Sequence, residues 1–338
     1  MDTMGEQIQR IGVLTSGGDA AGMNACIRAV YRAATSAGVQ VYGIRNGFTG
    51  LINGDMVLLE RKDVANIIHL GGTVLGTSRS EEFKTEQGRE IAAHNLRKND
   101  IGGLIIIGGD GSFKGGHYLS EESGIPIVGI PGTIDNDIIG TDFSIGFDTA
   151  VNIALASIDR VRDTAISHGR LFFVEVMGHS SDFIALESGI AGGAEHLILH
   201  DSHNEIDYLC EKLQTMFAQG KRHAIVVVAE GSHPGCSFGL ARKVTERILV
   251  ESRVCVLGHT QRGGSPTARD RVLAAKLGVC AVLALMDGNN GIMVGEIKHD
   301  IVYRPISEVA SGHRVPDSRM TRLSEILSGY TPSLSPLS

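Results

Sequence analysis

Short apolar runs closed by glycine alternate with amphipathic stretches along the first half of the chain. IGVLT (11–15) reads as a strand and SGGDAAG (16–22) as a glycine turn. A helix is predicted from Met23 to about Ser36, closing at Gly38. The unit recurs, with strands predicted at VQVYGI (39–44), GLIIIGG (103–109) and PIVGIPG (126–132). Strands apolar on both faces and separated by helices predict a parallel, doubly wound sheet.

After Asp137 the pattern restarts. A helix is predicted over 149–163, where Val151, Leu155 and Ile158 share one face, and the strand LFFVEVMG (171–178) begins a second α/β layer. Further strands are expected at AIVVVAEG (224–231) and RVCVLGH (253–259), and a long helix over 267–286, opened by Pro266 and closed near Gly288. The final ten residues, GYTPSLSPLS, are expected to fray.

Composition narrows the class. At 338 residues the chain exceeds what one core usually organises, so two α/β domains are expected. Hydrophobic residues make up 42% and charged ones 20%, the balance of a globular protein without membrane spans. A formal charge of -7 argues against nucleic acid or an anionic membrane as partner, so any phosphate binding should be local. The five cysteines are scattered and lack the CxxC spacing of a zinc site, which predicts reduced thiols. The N-terminal stretch MDTMGEQIQR has no apolar run and no later segment is long and uncharged, so a cytoplasmic location is expected. Glycine is abundant, at 44 residues, and clusters at the ends of apolar runs, as backbone approaching phosphates requires.

Four clusters fall at the carboxyl ends of predicted strands, where open α/β sheets place ligands. SGGDAAGMN (16–24) lacks a Walker lysine and GxGxxG spacing, and suits a phosphate loop or a tight strand-to-helix turn equally. GGDGSFKGG (108–116) sets Asp110 among glycines, either to hold Mg²⁺ through water or to cap a helix. In PGTIDND (131–137), Asp135 and Asp137 point the same way if the chain is extended, a pair suited to metal-assisted proton abstraction. An Asx-type turn is the alternative. RVCVLGHTQRGGSPTARDR carries Arg253, His259 and Arg262 around a glycine pair, a phosphate-recognition pattern or an ordinary charged loop.

In this order, with VEVMG between the third and fourth, the clusters resemble the ATP-dependent 6-phosphofructokinase family of the bacterial type, over about 11–301. The resemblance implies two Rossmann-like domains with mainly parallel sheets, the chain crossing between them more than once. An ATP-binding domain would comprise 1–146 plus about 260–310, and a fructose 6-phosphate-binding domain about 147–259 plus 311–338. The reaction implied is ATP-dependent phosphorylation of fructose 6-phosphate at O1. Gly18, Arg79, Gly109, Asp110, Gly111 and Ser112 match the ATP-Mg²⁺ site, with Asp110 on the metal. Thr133, Asp135 and Asp137 match the site of the reacting hydroxyl, with Asp135 as base. Met177, Gly178, His179 and Glu230 would contact the sugar, and Arg170, Arg253, His259 and Arg262 its 6-phosphate. Arg170 and Arg253 would reach in from a neighbouring subunit of a tetramer. Arg28, Arg32, Arg162, Glu195 and Lys221 match the family's nucleoside-diphosphate effector site, so ADP is the implied effector.

Pyrophosphate-using relatives resemble replacements of Gly111 by aspartate and of Gly132 by lysine. A carboxylate about 4 Å from the α-phosphate would be repelled by roughly 4 kcal/mol at an effective dielectric near 20, so glycine at both positions favours ATP. The chain departs from the family at His179, where arginine is usual, at Asp182, where glycine is common, at Ser80, where an aromatic is usual, and at Gln219, where lysine is expected. A pyrophosphate-dependent enzyme and a silent sugar-phosphate sensor are the alternatives.

Overall fold

The computed structural model describes residues 8–200, 206–231 and 233–328, so the tail expected to fray at 329–338 lies outside the described residues. The chain divides into two compact units, one comprising 1–149 and 262–314 and the other 150–261 and 315–338.

The first unit is built on β1 (Arg10–Thr15), α1 (Met23–Ser36), β2 (Gln40–Ile44), α2 (Gly47–Asn53), β3 (Met56–Leu58), α3 (Glu86–Lys98), β4 (Gly103–Gly108), α4 (Asp110–Ser123), β5 (Ile127–Thr133) and β6 (Ile145–Gly146). The helix α5 (Phe147–His168) carries the chain out of this unit. The chain returns to supply α9 (Ala268–Met286), β11 (Ile292–Ile297), β12 (Asp300–Pro305) and α10 (Ile306–Val309). The sheet order is β12-β11-β5-β4-β1-β2-β3, with β6 beside β5. Its central strands are parallel, as the apolar runs predict, and β4 is buried along its whole length. Both edges are antiparallel, through β3 on β2 and β12 on β11. Leu14, Leu104, Ile106, Phe113 and Ile127 centre the core on one face, and α9 packs along α1 close enough that a methyl on Gly278 would lie 2.8 Å from Ala29 Cβ.

The second unit holds β7 (Leu171–Val176), α6 (Phe183–Ala191), β8 (His196–Ile198), α7 (Ile206–Ala218), β9 (Ala224–Ala229), α8 (Cys236–Ile248), β10 (Ser252–Val256) and α11 (Ser318–Leu327). Its four strands are all parallel in the order β10-β7-β9-β8. Buried Glu175 fastens α8 to β7, accepting from Gly235 N–H at 2.6 Å, Ser237 N–H at 2.9 Å and Ser237 Oγ at 2.6 Å. The helix predicted over 149–163 extends to Phe147–His168, and its buried stripe is Val151, Ala154, Ile158 and Ala165, with Leu155 only half-buried. All five cysteines are free, and burial raises each thiol above its ordinary range. No helix among the described residues is long and apolar enough to cross a membrane.

Candidate active site

In the first sheet the strand order reverses at β1, whose neighbours are β4 and β2. The loops leaving the carboxyl ends of β1 and β4 therefore diverge to opposite faces, opening the kind of crevice where doubly wound sheets hold ligands. The first glycine cluster leaves β1. It is pinned by Ser16 N–H on Ile107 O at 3.0 Å and by Thr77 Oγ1 on Gly17 O at 2.8 Å. Arg262 comes against the same loop, its Nη1 donating to Asp19 O at 3.1 Å.

The second cluster leaves β4 and opens α4. Gly109 is the N-cap and makes no side-chain cap bond, so Asp110 is the first helical residue rather than the cap. Its Oδ1 accepts from Gly111 N–H at 2.6 Å, and Ser112 is buried in the same turn. The start of α4 thus combines the partial positive charge of a helix N-terminus with one exposed carboxylate. A methyl on Gly111 would meet nothing within 4 Å, whereas one on Gly132 would lie 2.9 Å from buried Ile107 Cγ2 and 3.4 Å from Met23 Cε. Gly111 faces open space; Gly132 is enforced by packing. Arg79 lies exposed in the segment after Thr77 and Ser78.

The third cluster follows β5, which pairs with β4 in parallel so that Gly108 stands opposite Pro131. Here the extended reading of Asp135 and Asp137 fails. The strand ends at Thr133, the chain bends, and Asn136 adopts a left-handed φ of 53°. Asn136 Oδ1 accepts from Ser144 N–H at 2.9 Å and Ser144 Oγ donates to Thr133 O at 2.7 Å, which closes the loop into a turn. The i, i+2 alignment of the two carboxylates therefore does not hold. Thr133 Oγ1 instead receives the Asp135 N–H at 3.2 Å and lies 3.4 Å from Asp135 Oδ2. Asp137 Oδ2 is 3.6 Å from His313 Nδ1.

In the second unit β7 is the strand where the order reverses. Met177 and Gly178 follow it. Met177 N–H donates to the side chain of fully buried Gln261 at 2.8 Å, and Ser181 N–H closes a turn on Gly178 O at 2.7 Å. A Cβ on Gly178 would sit 2.2 Å from Ser181 O, so only glycine fits. His179 N–H donates to Oε1 of buried Glu230, at the end of β9, at 3.2 Å. Arg170 immediately precedes β7, Arg253 lies in the adjacent β10, and the two share one carboxylate. Arg170 Nε is 3.3 Å from Glu251 Oε2, and Arg253 pairs with Oε1. Two cations on one anion leave a net positive charge at the surface. His259 is exposed in the short 3-10 turn Gly258–Arg262.

The residues matched to an effector site fall into two groups. In the first unit Arg28 and Arg32 line a cavity of about 440 Å³ with Tyr31, Thr35 and Arg61. Sequence reasoning missed Arg61 because it lies far along the chain in a segment without periodicity. In the second unit Glu195 is held by Lys221 Nζ at 2.5 Å and by Arg162 Nη1 at 3.6 Å, and accepts Ile225 N–H at 2.6 Å. Gln261 and Asp270 fall within the fourth sequence cluster, whose pattern gave neither a role in the framework of the site. Asp270 accepts from Gly146 N–H at 2.9 Å, Thr149 N–H at 2.8 Å and Thr149 Oγ1 at 2.5 Å. Burial pushes its carboxyl above the usual range despite these donors.

A family model described as "Phosphofructokinase" matches residues 10–285. The chain is 53% identical over 320 residues to "ATP-dependent 6-phosphofructokinase 1" of Thermus thermophilus, covering 95% of this chain and 99% of that protein. It is 52% identical over 321 residues to "ATP-dependent 6-phosphofructokinase" of Halalkalibacterium halodurans, covering 95% of this chain and all of the relative. Among solved structures, phosphofructokinase from Saccharomyces cerevisiae superposes with a TM-score of 0.83 at 32% identity, covering 95% of this chain and 47% of the yeast chain. A pyrophosphate-dependent phosphofructokinase from Marinobacter aquaeolei gives a TM-score of 0.82 at 23% identity, over 92% of this chain and 86% of that one, a likeness of fold.

Proposed function

The chain belongs to the phosphofructokinase family, and from that membership and the geometry above we propose that it transfers the γ-phosphoryl group of ATP to O1 of fructose 6-phosphate. The observation that carries the reading is the adjacency of β4 and β5, which brings the Asp110 loop and the Asp135 loop out side by side at the end of one sheet. One suits a nucleotide and the other a hydroxyl.

Gly18, Arg79, Gly109, Asp110, Gly111 and Ser112 would receive the nucleotide, its phosphates facing the amides at the start of α4. No cluster of three or more metal-ligating side chains occurs among the described residues. Nucleotide-bound Mg²⁺ takes few carboxylates and keeps waters and phosphate oxygens, so the single exposed Asp110 fits that donor set. When bound, the cation would neutralise charge on the β- and γ-phosphates.

Asp135 accepts the proton of the O1 hydroxyl as O1 bonds to the γ-phosphorus and the bond to the β–γ bridging oxygen breaks, releasing ADP. Thr133, hydrogen-bonded to the Asp135 amide, orients that carboxylate, and Asp137 positions the sugar. Met177, Gly178, His179 and Glu230 contact the sugar, and His259 and Arg262 its 6-phosphate. Arg170 and Arg253 serve a neighbouring subunit's 6-phosphate in a homotetramer; their shared pairing with Glu251 supports this, since a phosphate can replace that carboxylate.

ADP is the effector, taken by Arg28 and Arg32 with Arg61, and by Arg162, Glu195 and Lys221. The five free thiols support a cytoplasmic location. A coupled assay offering fructose 6-phosphate with ATP and then with pyrophosphate tests the reading. Turnover with ATP and Mg²⁺ is expected. Turnover with pyrophosphate alone, or with neither donor, overturns it.

A further inference from the structure

Behind the turn that follows β7 lies a histidine that neither the site motifs nor the family match singles out. His200 follows β8, and both its ring nitrogens meet oxygens. Nδ1 is 2.7 Å from Asp182 Oδ1, and Nε2 is 2.5 Å from the backbone oxygen of His179. The same Asp182 oxygen accepts the His200 backbone N–H at 3.0 Å. A carboxylate and a carbonyl can only accept, and a neutral imidazole has a single N–H to donate. Both contacts are satisfied together only by the imidazolium.

What that imidazolium holds is strained. His179 has φ 53°, a left-handed conformation that a non-glycine residue adopts at a cost. Its peptide groups are tied on both sides: the N–H to Glu230 Oε1 at 3.2 Å, the carbonyl to His200. Asp182 stands at the N-cap of α6 yet makes no side-chain cap bond there, so its carboxylate is given to His200 instead. The groups facing the ring are Asp182 from the start of α6, the His179 carbonyl from the turn after β7 and the Glu230 backbone from the end of β9.

We propose that His200, doubly protonated, is a positioning residue for the sugar site: it fixes the left-handed backbone of His179 and, through it, the carboxylate of Glu230. The proposal rests on the reading above, in which His179 and Glu230 contact fructose 6-phosphate. Loss of the Nε2 proton breaks the tie to His179 and loosens the sugar contacts without touching the reacting atoms.

The sign follows from the pairing. The hydrogen bond that His200 donates to Asp182, the largest cause, raises the His200 pKa, so the tie is present at lower pH and is lost as pH rises through that raised value. KM for fructose 6-phosphate should therefore climb on the alkaline side while kcat changes little.

The test is steady-state kcat and KM for fructose 6-phosphate, with ATP and Mg²⁺, from about pH 6 to about pH 9, the span around an imidazole's ordinary range. It compares the wild type with His200→Gln and Asp182→Asn. His200→Gln should lose the alkaline climb and raise KM at the acid end about tenfold, the scale of one lost hydrogen bond to a charged group. Asp182→Asn, which removes the main cause of the raised pKa, should move the climb to lower pH. The His200 ring signal followed by NMR should shift in parallel. An unchanged KM profile in His200→Gln, or a ring titration indifferent to Asp182→Asn, overturns this proposal alone. A wild type that does not phosphorylate fructose 6-phosphate overturns the functional reading and the proposal with it.

Discussion

A methyl group on Gly18 would sit 2.5 Å from Nη1 of Arg262 and 2.9 Å from its Cζ. The first glycine loop is thus shaped around an arginine that is more than two hundred residues away in sequence. The guanidinium is the far end of a flexible side chain, so Gly18→Ala can be accommodated by swinging Arg262 away from Asp19 O. The expected result is a thermal midpoint near the wild type's with catalytic efficiency lowered at least about tenfold, the loss of one charged hydrogen-bonding group. Steady-state kinetics beside a melting curve checks it. A melting point lowered by many degrees would mean that the loop, not Arg262, yields.

Asp135→Asn removes a proton acceptor while keeping shape and the Thr133 contact to the backbone amide. Turnover should fall by roughly 10²–10⁴-fold, the usual contribution of a placed base, with KM for both substrates little changed. Single-turnover measurement isolates the chemical step. Turnover equal to the wild type's would remove Asp135 from the base role.

Much of this was legible in the chain itself. Strands such as IGVLT and GLIIIGG are continuous apolar runs, and a buried parallel strand has no polar face to interrupt them, so β1 and β4 lie where expected. The edge strands β3 and β12 were not, because Met56–Leu58 and Asp300–Pro305 are short or polar and take their form from a neighbour. Asp135 was readable as chemistry, but its geometry was not: the left-handed φ of Asn136 depends on hydrogen bonds to Ser144, eight residues on. The contact between His200 and His179 spans two strand-to-loop junctions and leaves no local trace in sequence.

The three donors converging on Asp270 make a further position specific. Gly146 N–H meets Oδ1 while Thr149 N–H and Oγ1 meet Oδ2. An asparagine has one acceptor oxygen, so its amide nitrogen must face one set of donors in a buried site. Asp270→Asn should cost about 1–3 kcal/mol, the penalty of an unsatisfied buried donor. Urea unfolding of the two proteins reads this directly. Equal midpoints would show that the junction of β6 with the first turn of α5 relaxes around the amide.

Lys212 supplies a stabilising substitution. Its residue is 2% exposed, and Nζ donates to Ser328 Oγ at 2.8 Å. Burial outweighs the attraction of Glu195 and Glu325, with Lys221 adding to the repulsion, and pulls the ammonium down to about 8. A lysine that ionises at 10.5 when unfolded and near 8 when folded binds fewer protons in the folded state between those values. Wild-type stability should accordingly rise with pH across that interval. Lys212→Met keeps the length of the stem and removes the charge. At neutral pH it should raise the unfolding midpoint by a few degrees, and it should flatten the alkaline climb. Melting curves near neutral pH and near pH 9 decide the matter. A lower midpoint in Lys212→Met with the climb intact would show that the ties of the ammonium to Ser328 and the nearby carboxylates exceed the cost of burying it.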